Sequence, residues 1–535
     1  MNAHRIPLES FLTVLLAALI LLQLVNALYH AWPFTTDDAF ISWHYAQTMA
    51  SGLGFRWYAN TPPVEGYSNF LWVLLASLFI KLGVPLIPAI KCFASVSLLA
   101  AFVFLYQFAR TFLSPLLAML PVYLFSHYQG VSWWTVSGFE TSFFVALALL
   151  MSWQTASALG FSQWQDSTIP FKKNRYHARA WLIGCVNLTL LALTRFEGLL
   201  WIIAPIAFLL CCHSHNKLPS SQLRSMFIIF ALGFILPYSI YFGWRLIYFG
   251  HLLPNSYRCK AIVSTHSFHL VIDYLYLLFP CLILSLPYLL ARKDCRHLLL
   301  WLPSLLYCLL LCRADPVIAY YNRLFLAAFS VFSLLPVLGV KEFLTNFHFS
   351  AKNNTLASLL IIVLFTHLFI PTGKIVDIDT EVKHYQQRSA IRMKVVEFLN
   401  RYATPNAKIL LADCGIIPFF ARKDLQFIDS QCLTNAEMTS TRIHLSLPLY
   451  AQDLQQKIKP DWVIRTYYPQ WQRGNDLTEV LQQHDFFKNY HLIVTYQSHR
   501  FDSLQGKPQE READFIYKIY ARNELANYLM QKIDH

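Results

Sequence analysis

Charge is what this chain has least of. Asp, Glu, Lys and Arg make up 14% of its 535 residues, while 56% are hydrophobic. A soluble protein of this length needs a far more charged surface, so the deficit excludes a soluble fold and implies a polytopic membrane protein. Several signatures are missing too: no Walker loop, GxGxxG turn, HExxH helix, CxxC pair or GxSxG elbow occurs. Their absence removes nucleotide-driven work, redox cofactors and the common hydrolase centres from consideration. Nor is there a solenoid repeat, a low-complexity tract or the paired halves that an inverted-repeat transporter carries. The 11 cysteines are scattered, most of them inside apolar runs, as at Cys92, Cys185, Cys281, Cys308 and Cys312. There they read as small core residues rather than a disulfide framework. Cys308 and Cys312 share a helix face, but no His or carboxylate completes a metal set. Cys414 and Cys432 fall in polar sequence, where a disulfide between them stays open.

Aromatic residues are plentiful at 16%, with 14 Trp and 28 Tyr, as in chains that place amphipathic rings at two membrane interfaces. The net charge of +13 is spread over short loops between apolar segments. Membrane orientation and anionic headgroups account for it, and no nucleic-acid partner is expected. Apolar stretches recur at 11–28, 69–80, 88–109, 115–127, 139–159, 181–193, 198–212, 225–249, 270–290, 298–312, 322–340 and 356–371. Several fall short of a full span, so about 11 to 13 helices are expected. Basic loops at 171–179, around Arg224 and at 292–296 mark the cytoplasmic side. They place 195–197, 250–269, 313–321 and the chain after 371 on the other face. Arg5 gives the same side for the loop after the first apolar run. That run is longer than a signal core, so it reads as an uncleaved anchor despite Val25-Asn26-Ala27. Lys81, Lys91 and Arg110 cannot all be cytoplasmic, so one segment between 81 and 130 is half-inserted or wrongly bounded.

Hydropathy drops after Pro371. The expected organisation is therefore a transmembrane catalytic domain, 1–371, followed by an extracytoplasmic soluble α/β domain, 372–535. In the latter, 408–415, 425–430, 461–468 and 491–498 read as buried strands and 382–402 as a helix.

Asp37 and Asp38 follow the first apolar run within a few residues, at the lipid–water boundary. Carboxylates at that depth are expensive and usually functional. The plainer alternative is a helix cap by Thr35, Thr36 or Asp37. The sequence from 35 to 72, TTDDAFISWHYAQTMASGLGFRWYANTPPVEGYSNFLW, resembles the first extracytoplasmic loop of GT-C integral-membrane glycosyltransferases. In particular it is similar to the polyprenyl-phosphate-dependent arabinofuranosyltransferases, whose pattern is DDA(F/Y)I(S/T)-aromatic-RYA followed by VEGY(S/T)NFLW. His44 stands where that family more often has Arg. Further stretches resemble the same family in the same order: SWWTVSGFET at 132–141, LTRFEGLL at 193–200, RLIYFGHLLPNSYRCK at 245–260, DPVIAYYNRLF at 315–325, ADCGIIPFF at 412–420 and FIDSQCLTNAEM at 427–438. Roughly the last hundred residues have no counterpart.

The resemblance implies a GT-C fold and an inverting transferase. It would move a sugar, an arabinofuranose-like pentose being favoured, from a polyprenyl-phosphate donor to a cell-envelope glycan or glycolipid, such as lipopolysaccharide or cell-wall glycan. The site would lie at the extracytoplasmic face of a bacterial inner membrane. Such a transfer needs a base for the acceptor hydroxyl and cations for the departing phosphate. Asp38 with Asp37 are the candidate base. Arg195, Arg245, Lys260 and Arg323 are the candidate phosphate ligands, against the plainer reading of each as a snorkelling interfacial cation. Glu65, Tyr67, Asn69, Glu197, Asn255, Tyr257 and Asp315 are candidates for sugar or acceptor. Trp133, Trp134 and Glu140 fit a sugar platform and an interfacial aromatic belt equally. No cofactor is certain. Glu197, Asp315 or the Asp37–Asp38 pair are candidate ligands of a divalent metal ion, with no spacing that defines a site. His251, His266 and His269 read as loop histidines. Asp413 and Gly415 fit a strand-end turn that either faces the membrane site or serves structure alone, and the soluble domain is read as positioning the acceptor. The rival class is a transporter or flippase of lipid-linked saccharides. It would hold its ionisable residues near the midplane, whereas here they collect in loops at one face.

Overall fold

The computed structural model describes residues 8–58, 61–161, 177–214, 220–260, 268–291, 295–312, 320–346, 351–370, 378–435, 451–469, 473–474, 476–483, 485–502 and 509–527. Seven helices there are long and apolar enough to cross a bilayer: Leu8–Ala31, Leu86–Arg110, Thr141–Ala158, Phe196–His213, Ser220–Phe249, His269–Ala291 and Arg323–Thr345. Shorter apolar helices run over Phe70–Lys81, Pro115–Ser126, Ala178–Thr194, Cys295–Leu311 and Asn353–Phe369. The chain is a multi-pass membrane protein with a small C-terminal sheet domain. The helix Phe70–Lys81 has 12 residues, about 18 Å at ~1.5 Å per residue, against a hydrocarbon core of about 30 Å. The apolar stretch at 69–80 therefore does not cross by itself, which relieves the conflict among Lys81, Lys91 and Arg110. Lys91 has a second explanation: it is buried, and its Nζ donates to the Trp32 carbonyl at 2.6 Å. It caps the end of the first long helix instead of marking a side of the membrane.

The chain divides into two compact units. One comprises Met1–Trp32, Ile90–Arg245 and Ser264–Ile375. Its helices are tied by the devices that work without water. A Cβ on Gly339 would fall on the Leu284 carbonyl oxygen, so the helices His269–Ala291 and Leu334–Thr345 meet backbone to backbone. Across other helix pairs Asn187 donates to the Leu147 carbonyl at 2.6 Å and Thr189 to that of Gly233 at 3.0 Å. The latter lies in the π-turn Ala231–Ile235, whose widened backbone leaves a carbonyl to accept it. Cys211 and Cys295 form a disulfide.

The second unit gathers Pro33–Ala89, Leu246–Val263 and Val376–His535. Its sheet runs in the order β2-β1-β3-β6-β5, where β1 is Lys408–Leu411, β2 Gln426–Asp429, β3 Trp462–Tyr468, β5 Tyr490–Asp502 and β6 Gln509–Arg522; the short β4, Arg473–Gly474, pairs with β3. β1 is parallel to β2 and β3, and β6 is antiparallel to β3 and β5. Leu410, Ile428, Val463, Leu454, Leu477, Leu481 and Phe486 form one core. The helix Ile378–Tyr402 sets Phe398 edge-on against Trp462 at 5.4 Å. Cys432 is disulfide-bonded while Cys414 is a buried free thiol, so these two do not pair with each other.

Candidate active site

The residues singled out by the sequence gather in two constellations, one within each unit. In the second unit the turn from Pro33 leads into the helix Ala39–Ala50, and no side chain caps that helix. Its first amides bond instead to the carbonyls of Thr36, Asp37 and Asp38 at 3.0–3.3 Å. Capping is therefore not what the acidic pair does. Asp37 turns toward the sheet: its Oδ1 accepts the Ile416 N–H at 2.9 Å and lies 3.1 Å from Arg392 Nε. Arg392 Nη2 donates to Asp413 Oδ2 at 3.2 Å, and the Tyr517 hydroxyl donates to that same oxygen. Asp413 and Ile416 belong to the turn after β1, at the carboxyl end of parallel strands, where open α/β sheets leave a crevice. Here Asp37 enters that crevice.

Gly415 makes the approach feasible. A Cβ there would fall on the Asp37 carbonyl oxygen and come within 2.6 Å of its carboxyl carbon. Burial, helped by Asp413 and Asp38, pushes the Asp37 carboxyl up to about 6, against the opposing pull of Arg392 and the Ile416 N–H. A carboxyl raised on folding stabilises the native state below its unfolded value, about 3.9, and loses that contribution as pH rises through its folded value. The melting temperature of wild type relative to Asp37→Asn should therefore be higher at pH 5 than at pH 7. An advantage of wild type that grows with pH would contradict this burial cost.

The rest of the loop is packed around this point. His44 is buried, packs at a tilt on Trp57 at 4.1 Å between ring centroids and bonds through Nε2 to the Trp57 carbonyl at 3.0 Å. Burial pushes its pKa down to about 3, so a neutral ring stands at the position where the resembled family more often carries Arg. Tyr45 donates to the Val64 carbonyl at 2.8 Å and accepts from the Gly66 N–H at 3.1 Å. Tyr67 is buried against Tyr45 and Phe55, and Asn69 accepts from Ser42 at 2.9 Å. The Glu65 carbonyl accepts the Asn255 N–H at 3.0 Å, and the Asn255 amide donates to the carbonyls of Cys432 and Leu433 at 2.8 and 2.9 Å. Tyr67, Asn69 and Asn255 thus hold the loop to its surroundings. Further along, Phe40 packs on Phe419 at 5.2 Å, Lys423 donates to Gln47 at 2.8 Å, and the Phe427 N–H donates to the Tyr58 hydroxyl at 2.6 Å.

In the first unit, side chains far apart in sequence converge on Glu140, which is 1% exposed. Arg195 donates to its Oε1 at 2.5 Å and to Glu197 at 2.8 Å, while Arg323 reaches the same Glu140 oxygen at 3.4 Å. Arg323 also lies over the Phe139 ring at 3.5 Å and over Trp134 at 5.1 Å. Trp134 donates through Nε1 to the Tyr320 carbonyl at 3.0 Å. Trp133 and Trp134 are both buried, so neither ring is an open surface belt. Tyr321 and Asn322 hold φ values of 53° and 52°, a left-handed backbone that a bulky residue adopts only under constraint. Asn322 is tied to Tyr128 at 2.9 Å, and the Tyr321 carbonyl sits where a Cβ on Gly130 would be. Arg245 is buried, its guanidinium 5.7 Å from the Phe242 ring. The side chains of Tyr257 and Lys260, and the whole of Asp315, lie outside the described residues.

Sequence reasoning passed over Arg392 and Tyr517. Arg392 is one basic residue among several in an amphipathic helix, and Tyr517 lies in the stretch without a family counterpart. The Asp-Cys-Gly turn was the one available signal, since a Gly two residues after an Asp just past a strand end can mark a close backbone approach.

The arrangement is that of the GT-C class of membrane proteins. ArnT from Cupriavidus metallidurans in the apo state superposes with a TM-score of 0.51 at 12% identity, over 95% of this chain and 97% of that one. Its structure bound to undecaprenyl phosphate gives 0.50 at 11%, with the same coverage. The oligosaccharyltransferase of Archaeoglobus fulgidus gives 0.52 at 12% in the apo form, over 94% and 88%. The archaeal oligosaccharyltransferase AglB from Archaeoglobus fulgidus in complex with an inhibitory peptide and a dolichol-phosphate gives 0.51 at 12%, over 94% and 88%. At these identities the likeness establishes the fold. Residues 378–520 match the family model described as "Domain of unknown function (DUF8728)". A sequence search of curated proteins gave no match.

Proposed function

We propose that this protein is an inverting membrane glycosyltransferase that takes a sugar from a polyprenyl-phosphate donor. The observation that carries the reading is the Asp37–Asp38 pair. It directly follows a membrane-length helix in sequence, leaves its own helix uncapped and has one member bound into a crevice of the α/β sheet. On this reading Asp38 is the base, and Asp37, held by Arg392 and the Ile416 amide, is its neighbour in the pair. The Asp38 carboxylate takes the proton of the acceptor hydroxyl as that oxygen attacks the anomeric carbon. The bond from that carbon to the phosphate oxygen breaks, and polyprenyl phosphate leaves with the electron pair. Attack opposite the leaving group inverts the configuration. Among the described residues no three His, Cys, Asp or Glu side chains gather as a metal ion would require. The charge of the departing phosphate is assigned to cationic side chains, the guanidinium groups of Arg195 and Arg323 foremost, with Arg245 and Lys260 as further candidates.

The undecaprenyl and dolichol phosphates named for ArnT and AglB support a lipid-linked donor. The motif likeness favours a pentose of the arabinofuranose type, an envelope glycan or glycolipid as acceptor, and the extracytoplasmic face of a bacterial inner membrane. On this reading residues 1–371 are the catalytic membrane domain and 372–535 the extracytoplasmic one. The test is a panel of radiolabelled polyprenyl-phosphate sugars offered with envelope extract to the purified protein. One donor should yield a labelled glycan of inverted anomeric configuration. A retained configuration would rule out direct displacement.

A further inference from the structure

Arg392 has no motif around it, yet it bridges two carboxylates that come from opposite ends of the chain. It is 8% exposed, lies 3.1 Å from Asp37 and 3.2 Å from Asp413, and rests over the Phe515 ring at 5.2 Å. Tyr517 holds Asp413 from the far side. The Gly415–Ile416 turn closes on Asp37 from a third direction, with an amide bond and a backbone contact that leaves no room for a Cβ. A guanidinium is suited to this because its planar fork engages two carboxylates at once, which an ammonium does not do in fixed geometry. Asp38 is the next residue along the backbone, so wherever Asp37 is pinned, Asp38 is aimed.

We propose that Arg392 is a positioning residue for sugar transfer: with Asp413, Tyr517 and the Gly415–Ile416 turn it fixes Asp37, and through Asp37 the orientation of the Asp38 carboxylate. The inference rests on the transferase reading. It gives the α/β domain a part in the chemistry beyond any contact with an acceptor. Mis-setting a reacting group by about 1 Å costs on the order of 10²-fold in rate. Loss of Arg392 should thus act on turnover more than on donor affinity.

The experiment compares wild type, Arg392→Lys, Arg392→Gln, Asp37→Asn and the double variant Arg392→Gln/Asp37→Asn, as full-length protein in nanodiscs, at equal folded concentration. For Arg392→Gln kcat should fall by about 10- to 10²-fold with the donor KM within about threefold, and Arg392→Lys should recover only part of the loss. The double variant should be no worse than the poorer single one, because both remove one contact. The pH profile gives a readout that a purely structural role would not move. Asp37 is faced by Asp38, by Arg392 of the long helix, by Asp413 and Cys414 of the β1 turn, by Tyr468 of β3 and by Tyr517 of β6. Arg392 is the positive charge that holds the Asp37 carboxyl down. Without it the acid limb of kcat should move to higher pH, and in Asp37→Asn that shift should vanish. If Arg392→Gln does not accumulate, Tyr517→Phe decides, since it removes one hydroxyl and should lower kcat several-fold. An unchanged kcat and acid limb in whichever of Arg392→Gln and Tyr517→Phe is folded would overturn the proposal. With wild type active and Asp38→Asn inactive in the same assay, that result would leave the transferase reading standing.

Discussion

Asp38→Asn is expected to lower sugar transfer by about 10²- to 10⁴-fold, the range for losing a positioned general base, while the protein still folds and still binds the donor lipid. The amide has nearly the same shape as the carboxylate but cannot take a proton at neutral pH. Its side chain makes no cap bond to the helix Ala39–Ala50, so no helix start is lost with the charge. Asp37→Asn should behave differently. The amide oxygen can still accept the Ile416 N–H, but the negative charge facing Arg392 is gone. Turnover should fall less than in Asp38→Asn, and the stability of wild type relative to this variant should change with pH as set out for Asp37. Rates from single-turnover transfer, with donor binding measured separately, distinguish the two. Equal loss in both variants with donor binding abolished would mean that the pair holds the substrate rather than the proton.

The second large effect is expected at Glu140. It is buried, and a single oxygen is shared by Arg195 and Arg323. Removing one partner of a buried ion pair leaves an uncompensated charge and costs on the order of 3–5 kcal/mol. Arg195 keeps Glu197 at 2.8 Å. Arg323 keeps the Phe139 ring and a 3.4 Å contact to Thr141, and both guanidinium groups lose the carboxylate oxygen they share. Glu140→Gln should therefore reduce the folded yield and the melting temperature in detergent sharply. Adding Arg323→Met should restore much of the stability, because an apolar side chain needs no counter-ion there. It should not restore transfer if Arg323 binds the donor phosphate as proposed, because that guanidinium is gone. Recovery of both, measured by melting and by transfer on the same preparation, would show that Arg323 serves structure alone.

The membrane fold was legible because it is written in composition: apolar runs of membrane length need no tertiary information. The short runs were legible as falling short of a full span, and the helix Phe70–Lys81, of 12 residues, is one of them. The strands β1, β2, β3 and β5 were legible as apolar runs between turn residues. β6 was not, because QEREADFIYKIYAR opens with charges and shows no apolar run until its second half. Within the site, Arg195, Glu140, Glu197, Trp134 and Arg323 were named separately, and the fold brings them into one cluster. What no local pattern carried was the partnership of Asp37 with Arg392. Ion pairs between residues hundreds of positions apart leave no spacing to read, and a buried Arg looks in sequence like any solvated one. Tyr67, Asn69 and Asn255, named for a sugar or acceptor, also have partners within the loop's surroundings: the Tyr67 ring packs on Tyr45, Asn69 accepts from Ser42 and Asn255 donates to the Cys432 carbonyl.

The most direct test of the central claim separates transfer from transport. The protein is reconstituted into vesicles with a polyprenyl-phosphate sugar labelled in both sugar and lipid, and with envelope acceptor outside. If the protein is a transferase, the sugar label should pass into the acceptor while an equal amount of unglycosylated polyprenyl phosphate appears in the membrane, and Asp38→Asn should stop both. Movement of the doubly labelled donor from one leaflet to the other with its glycosidic bond intact, and with no label in the acceptor, would contradict that claim and establish a carrier of lipid-linked saccharide instead.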